Sequence, residues 1–226
     1  MRPSPCIHPT GAAKRAFAIG GRVCKRYAMT ILSDIRTRIR KDLRDTDSLA
    51  YRWTDVQLDR HIERALNELS IAIPQEKRAT IATTNGSREV SVASLTGLIA
   101  VEAIEYPLGQ YPPLFIAHSR WADTVLLHVD AIPTGANARF SYIAKHVVDG
   151  SGSTVPAQFE DLLATGAAGY AALELSSFAT ERINVRPDVV ADYAANGRAW
   201  LAAFNQLLKV HARANRARAH RLYVPA

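Results

Sequence analysis

The apolar residues of this chain change period twice, and that change limits the fold more than any other feature. Between residues 31 and 69 they recur every three or four positions, as one face of a helix requires. Between 79 and 145 they fall in short β-rich runs separated by turn residues, and from Phe159 to Leu208 the helical spacing returns. Helix, then strand, then helix predicts an α+β protein: a helical bundle formed by the N- and C-terminal helices with a small antiparallel β-module inserted. The expected division is a basic leader at 1–28 outside the fold, N-terminal helices at 29–78, the β-module at 79–148, and long C-terminal helices with a basic tail at 149–226. Segments 29–78 and 149–210 are expected to form one helical body.

The first helix has Ile31 or Leu32, Ile35, Ile39 and Leu43 on its stripe. Arg36, Arg38, Arg40 and Lys41 fill the positions between, and Ser33 or Thr30 is available as the cap. A fuller start signal follows in Tyr51-Arg52-Trp53-Thr54-Asp55-Val56-Gln57-Leu58. Thr54 fits the N-cap, Gln57 completes a capping box, Asp55 suits the positive end of the helix dipole, and Trp53 is placed to staple onto Leu58. That helix should stop before Pro74.

Strands are expected at 79–84, 88–93, 98–105, 114–118, 124–129 and 139–145. Asn85-Gly86 predicts a tight hairpin between the first two. His118, His128 and His146 lie on or beside this module as partly exposed histidines without a short-spaced ligand partner. Asp149-Gly150-Ser151-Gly152-Ser153-Thr154 reads as a flexible joint, and Pro156 suits the first residue of the helix after it. That helix carries Phe159, Leu163, Gly166, Tyr170 and Leu173 on its stripe. A last helix begins near Pro187 with Val190, Tyr193, Gly197, Trp200 or Leu201, Phe204 and Leu207 or Leu208. Gly197 inside it implies a close approach to Gly166-Ala167-Ala168-Gly169 that leaves room for Trp200; the alternative is that Asn196-Gly197 ends one helix and another begins.

The net charge of +7 is unevenly spread. Residues 1–28 and 198–226 each hold six basic residues and no acid, whereas 29–197 holds 16 basic and 21 acidic residues. The basicity is therefore terminal, and the body is mildly acidic. No run approaches the ~18 apolar residues of a membrane span, so no membrane partner is expected. The leader lacks the apolar centre of about 7–15 residues that a secretory signal needs. Its acid-free composition weakly resembles an organellar transit peptide, but the preferred reading is that translation starts at Met29. Cys6 and Cys24, the only cysteines, permit at most one internal disulfide, and with His8 they are too sparse for zinc.

No phosphate-cradling loop, His-Glu-x-x-His or nucleophile elbow occurs, so neither catalytic residues nor metal ligands nor a cofactor is expected. Asp34, Asp42, Asp55, Asp59 and Glu63 sit among arginines, where pairing four residues apart on a solvated face explains them, and the helix dipole accounts for Glu160 and Asp161. On a continued last helix, Lys209, Arg213, Arg216 and His220 would form a basic stripe, widened by Arg218 and Arg221 and followed by the apolar Leu222-Tyr223-Val224-Pro225. Three readings stay open for this tail: a solvated helix end, a segment held in an acidic groove of a partner protein, or a nucleic-acid-binding module that uses the basic helix on phosphates.

Three stretches resemble the head-to-tail connector, or adaptor, proteins of tailed bacteriophages. The first is 35–43 with Tyr51-Arg52-Trp53-Thr54-Asp55-Val56-Gln57-Leu58 and Ile62-Glu63-Arg64-Ala65-Leu66-Asn67-Glu68-Leu69. The second is Val155-Pro156-Ala157-Gln158-Phe159-Glu160-Asp161-Leu162-Leu163 running into Gly166-Ala167-Ala168. The third is the final helix with Trp200, Phe204 and Leu207-Leu208. The resemblance implies a structural virion protein rather than an enzyme. Its partners would be the portal protein above, a tail or nozzle protein below, further copies of itself in a homo-oligomeric ring, commonly a dodecamer, and double-stranded DNA that passes through the channel without tight binding. It would reside in the virion neck after assembly in the host cytoplasm. The tail residues Lys209, Arg213, Arg216, Arg218, His220, Arg221, Leu222 and Tyr223 would then dock on the portal.

Overall fold

A computed structural model describes residues 30–180 and 187–216. Among these, four α-helices and a six-stranded antiparallel sheet make an α+β fold. Helices α1 (Leu32–Asp42) and α2 (Asp55–Ala72) come first. Strands β1 (Gln75–Ala82), β2 (Glu89–Ser91), β3 (Leu98–Glu105), β4 (Phe115–Trp121), β5 (Thr124–His128) and β6 (Asn137–Ala144) follow. Helices α3 (Glu160–Thr180) and α4 (Pro187–Arg216) end the described chain. The expected leader at 1–28 lies outside the described residues.

Thr54 caps α2: its side chain accepts from the Gln57 N–H at 3.3 Å while Gln57 Oε1 accepts from the Thr54 N–H at 2.8 Å. The first helix differs from expectation. Its N-cap is Ile31, neither Ser33 nor Thr30, and Asp34 Oδ2 accepts the Ile31 N–H at 3.1 Å. At its C-terminus Arg44 takes a φ of 54°, which closes the turn through Asp45 N–H to Arg40 O at 2.8 Å. Pro156 precedes a single 3-10 turn, Ala157–Phe159, which runs into α3.

The sheet order is β1-β6-β3-β4-β5-β2, so β1 and β2 are opposite edges of a curled sheet. The Asn85-Gly86 hairpin is therefore a correction. β1 spends all eight residues on β6, from Gln75 opposite Ala144 to Ala82 opposite Asn137, and β2 pairs with β5. Gly86 does adopt a positive φ of 82°, but its N–H bonds to Pro133 O, not across a β1–β2 ladder. The tight hairpin is instead β4–β5, where Trp121 faces Thr124 across Ala122 (φ 49°) and Asp123.

Two clusters of buried apolar residues result. One draws on all four helices, with Ile35, Ile39, Leu58, Ile62, Leu163 and Phe204 among its members. The other lies within the sheet, with Val90, Ile104, Val125, Leu127 and Phe140. His146 joins them and is another correction, because it is buried rather than partly exposed. Its N–H donates to Ser70 Oγ at 3.0 Å, and its ring nitrogens lie 2.9 Å from Ile73 O and 3.2 Å from Thr154 Oγ1. The expected flexible joint is tied down as well. Asp149 Oδ1 accepts from the N–H groups of Ser151 and Gly152, Asp149 O accepts from Leu32 N–H, and Val148 bridges Ser153.

α4 runs unbroken through Asn196-Gly197. Gly169 and Gly197 permit the close approach: a Cβ on Gly197 would lie 3.0 Å from Gly169 O and 3.0 Å from Leu173 Cγ. Leu201 and Phe204, rather than Trp200, fill the space beside Gly169 and Gly166.

Candidate assembly surfaces

Asp55 and Asp59 pair across helices with arginines of α1, not along one face as expected, whereas Arg64 and Glu68, four residues apart on α2, do pair along their helix. Arg36 donates to Asp59 at 2.6 and 2.7 Å and to Asp55 at 3.0 Å. These bonds hold the Arg36 guanidinium above its ordinary pKa, the Asp59 bond foremost. Arg40, only 7% exposed, donates to Asp45 at 2.7 Å, Trp53 O at 3.0 Å and Asp55 at 2.7 Å, and it stacks over the Tyr51 ring at 3.5 Å. The Arg40 bond holds the Asp55 carboxyl below its usual range. Trp53 is buried with Leu58; its indole N–H donates to Ala171 O at 3.3 Å and its ring meets Tyr193 edge-on. The helix-start residues thus position α2 against α3 and α4.

A second acidic group forms where α1 meets the start of α3. Arg38 donates to Asp161 at 2.5 Å and to Glu160 at 2.8 Å. Asp42 also feels Asp161: burial, then that neighbouring negative charge, pushes its carboxyl up. Beside this group lies a groove of about 320 Å³ between α3 and α4, lined by Phe159, Leu162, Thr165, Phe204, Leu207 and His211. Its floor is buried, its wall at Leu207 is 46% exposed, and Asp161 stands on its rim.

The sheet presents a different apolar surface. Strand alternation puts Phe115, Ala117 and Trp121 on one face of β4, and the β4–β5 register adds Leu126 and His128 to it. Trp121 at the hairpin end is 79% exposed, and Phe115 and Leu126 are exposed too. Sequence reading missed this strip because it placed the strands without asking which face was covered. The signal was present as large apolar residues on both faces of one strand.

The three histidines of the module are not gathered. His128 bonds Ser119 Oγ at 3.0 Å, His118 lies 3.3 Å from Val101 O, and His146 sits at the helix junction. Among the described residues no group of three or more His, Cys, Asp or Glu could hold a metal ion, and no helix is long and apolar enough to cross a membrane. Of the tail residues, Lys209 is exposed on α4, and Arg213 and Arg216 belong to its last turns. Arg218, His220, Arg221, Leu222 and Tyr223 lie outside the described residues.

A search of curated proteins returns no match. The family profile described as SU10 adaptor protein, by contrast, matches residues 29–225, a span that takes in both helical segments, the sheet and the basic tail. By that match the chain belongs to the SU10 adaptor protein family, a family of phage head-to-tail adaptors.

Proposed function

We propose that this adaptor forms a homo-oligomeric ring beneath the portal in the virion neck, extends the DNA channel and offers the tail or nozzle protein a platform. The family match over residues 29–225 carries the reading. In this scheme the helices within 29–78 and 149–210 act as one helical bundle, and 79–148, together with the start of β1 from Gln75 rather than the expected 79, is an appended β-module whose surfaces serve assembly. The role is structural. A ring repeats one heterologous contact until it closes, so each copy needs two unlike faces. The exposed Phe115, Trp121 and Leu126 on one face of β4 and β5 support the β-module as one of them, since large apolar side chains gathered on one exposed face are a common mark of a protein contact. Twelve copies assembled in the host cytoplasm is the stoichiometry and setting proposed. Residues Lys209, Arg213, Arg216, Arg218, His220, Arg221, Leu222 and Tyr223 are assigned to portal docking.

The test is a native mass measurement of the chain mixed with its portal. The full chain should give a portal-plus-twelve complex. A chain lacking 209–226 should keep its circular dichroism and lose the complex, because in the described part of that segment only His211 packs on the core, edge-on to Phe159. A truncated chain that still joins the portal would overturn the docking assignment.

A further inference from the structure

The groove between α3 and α4 lies next to the place where the basic tail leaves the helix. His211, less than two turns before Arg216, packs edge-on against Phe159 at 4.8 Å, which fixes the last turns of α4 beside the start of α3. Ten further residues, 217–226, follow α4 in the sequence. Arg216 lies about 14 Å along the helix axis beyond Leu207. The six steps from Arg216 to Leu222 span up to about 20 Å when extended, so Leu222 and Tyr223 can return to the groove.

Charge favours that return. From Lys209 onward the sequence has five Lys or Arg residues and no acid. At the groove rim stands Asp161, which shares the Arg38 guanidinium with Glu160, and Asp42 is close enough to Asp161 to feel its charge. Burial first, and the neighbouring Asp161 charge second, push the Asp42 carboxyl up. The groove itself supplies what an apolar plug needs, a buried floor at Phe159, Leu162 and Phe204 with an exposed wall at Leu207.

We infer that in the free subunit the chain's own residues 217–226 occupy this groove, with Leu222 and Tyr223 against Phe159, Leu162 and Leu207 and with Arg218 and Arg221 facing Asp42 and Asp161. The inference rests on the portal-docking role proposed for the tail and adds its regulation. A tail held on its own subunit is withheld from other contacts until the portal competes for it. The groove therefore acts as the acidic partner surface for the tail within the same chain.

Disulfide trapping in the otherwise full chain tests this, with Cys6→Ser and Cys24→Ser to remove the native thiols. Thr165→Cys with Leu222→Cys should crosslink within a monomer at least tenfold faster than Val56→Cys with Leu222→Cys, since Val56 is exposed at the start of α2 and apart from the groove. Asp42→Asn with Asp161→Asn, or 0.5 M salt in place of 0.05 M, should slow the first pair several-fold. A second readout needs no engineered pair: Leu222→Cys alone should alkylate more slowly than when Leu207→Arg obstructs the groove. Equal crosslinking of the two pairs, or a product that is only a dimer because the tail seats on a second copy, overturns the inference. Neither result bears on portal association of the truncated chain, so the two readings fail separately.

Discussion

Arg40 shows how far one side chain can depart from its sequence context. In the helical pattern it occupies a polar position beside Arg36 and Arg38, yet it is buried under Tyr51 with Asp45, Asp55 and the Trp53 carbonyl as partners. The period of α1 could not reveal this. What buries Arg40 is the chain turning at Arg44, whose left-handed backbone brings Asp45 and the Trp53 helix start back over the end of α1. Arg40→Ala should therefore cost about 3–5 kcal/mol in urea denaturation, because the buried Asp45 carboxylate would lose its ion-pair partner and keep only the backbone N–H groups of Arg52 and Trp53. Changing both, Arg40→Met with Asp45→Leu, should cost less than Arg40→Ala alone, since no charge then remains to be solvated. A double variant worse than the single would show that the pair stabilises beyond its own desolvation.

At the level of elements, the α3–α4 contact was legible and the sheet pairing was not. Small residues at Gly166, Gly169 and Gly197 signalled close helices; Gly169 and Gly197 are where the backbones meet, and Gly166 makes room for the Phe204 ring. Alanine normally stabilises a helix by about 1 kcal/mol over glycine. Gly197→Ala should reverse that sign, since its methyl would press on the Gly169 carbonyl, which cannot move as a flexible side chain can. Overpacking of this kind costs about 1–3 kcal/mol, so a net loss near 1 kcal/mol in the thermal or urea transition is expected. Asn196→Ala, one residue away and exposed, should not be destabilising. The Asn85-Gly86 reading failed for a reason of range. A turn dipeptide reports only on its neighbours, whereas β1 is held by an eight-residue ladder to β6, more than fifty residues on. The candidate surfaces divide the same way. The basic tail is visible in composition, while the groove exists only once α4 lies along α3 and the Phe115–Trp121–Leu126 strip only once β4 and β5 pair.

For the whole molecule the question is how the helical and sheet clusters are joined, and His146 gives a measurable answer. It follows β6, yet it bonds the end of α2 through Ser70 and Ile73 and the post-sheet linker through Thr154. Burial depresses its pKa, against the opposing bonds to Ile73 and Thr154; burial depresses that of His61 as well, there against the Glu174 carboxylate. Both native histidines thus bind protons less readily than the same side chains in the unfolded chain, where the pKa is about 6.5. As pH falls below that value the unfolded state takes up more protons, and stability must decline until the lowered native pKa values are passed. Above pH 7 neither group contributes a slope. The urea midpoint should therefore be flat from pH 8 to 7 as far as histidine is concerned and fall between pH 6.5 and 5. His146→Gln keeps a donor for the Ile73 carbonyl but cannot titrate, so it should start less stable at pH 7.5 and lose less on acidification. An unchanged acid slope in that variant would remove His146 from the account. If the junction couples the two clusters into one cooperative unit, circular dichroism and the fluorescence of Trp53, buried in the helical cluster and read in a Trp121→Phe, Trp200→Phe background, should report one midpoint at each pH. A fluorescence transition separated from the circular dichroism only below pH 6.5 would locate the acid-sensitive step at the clasp, with the helices and the sheet unfolding apart once His146 is protonated.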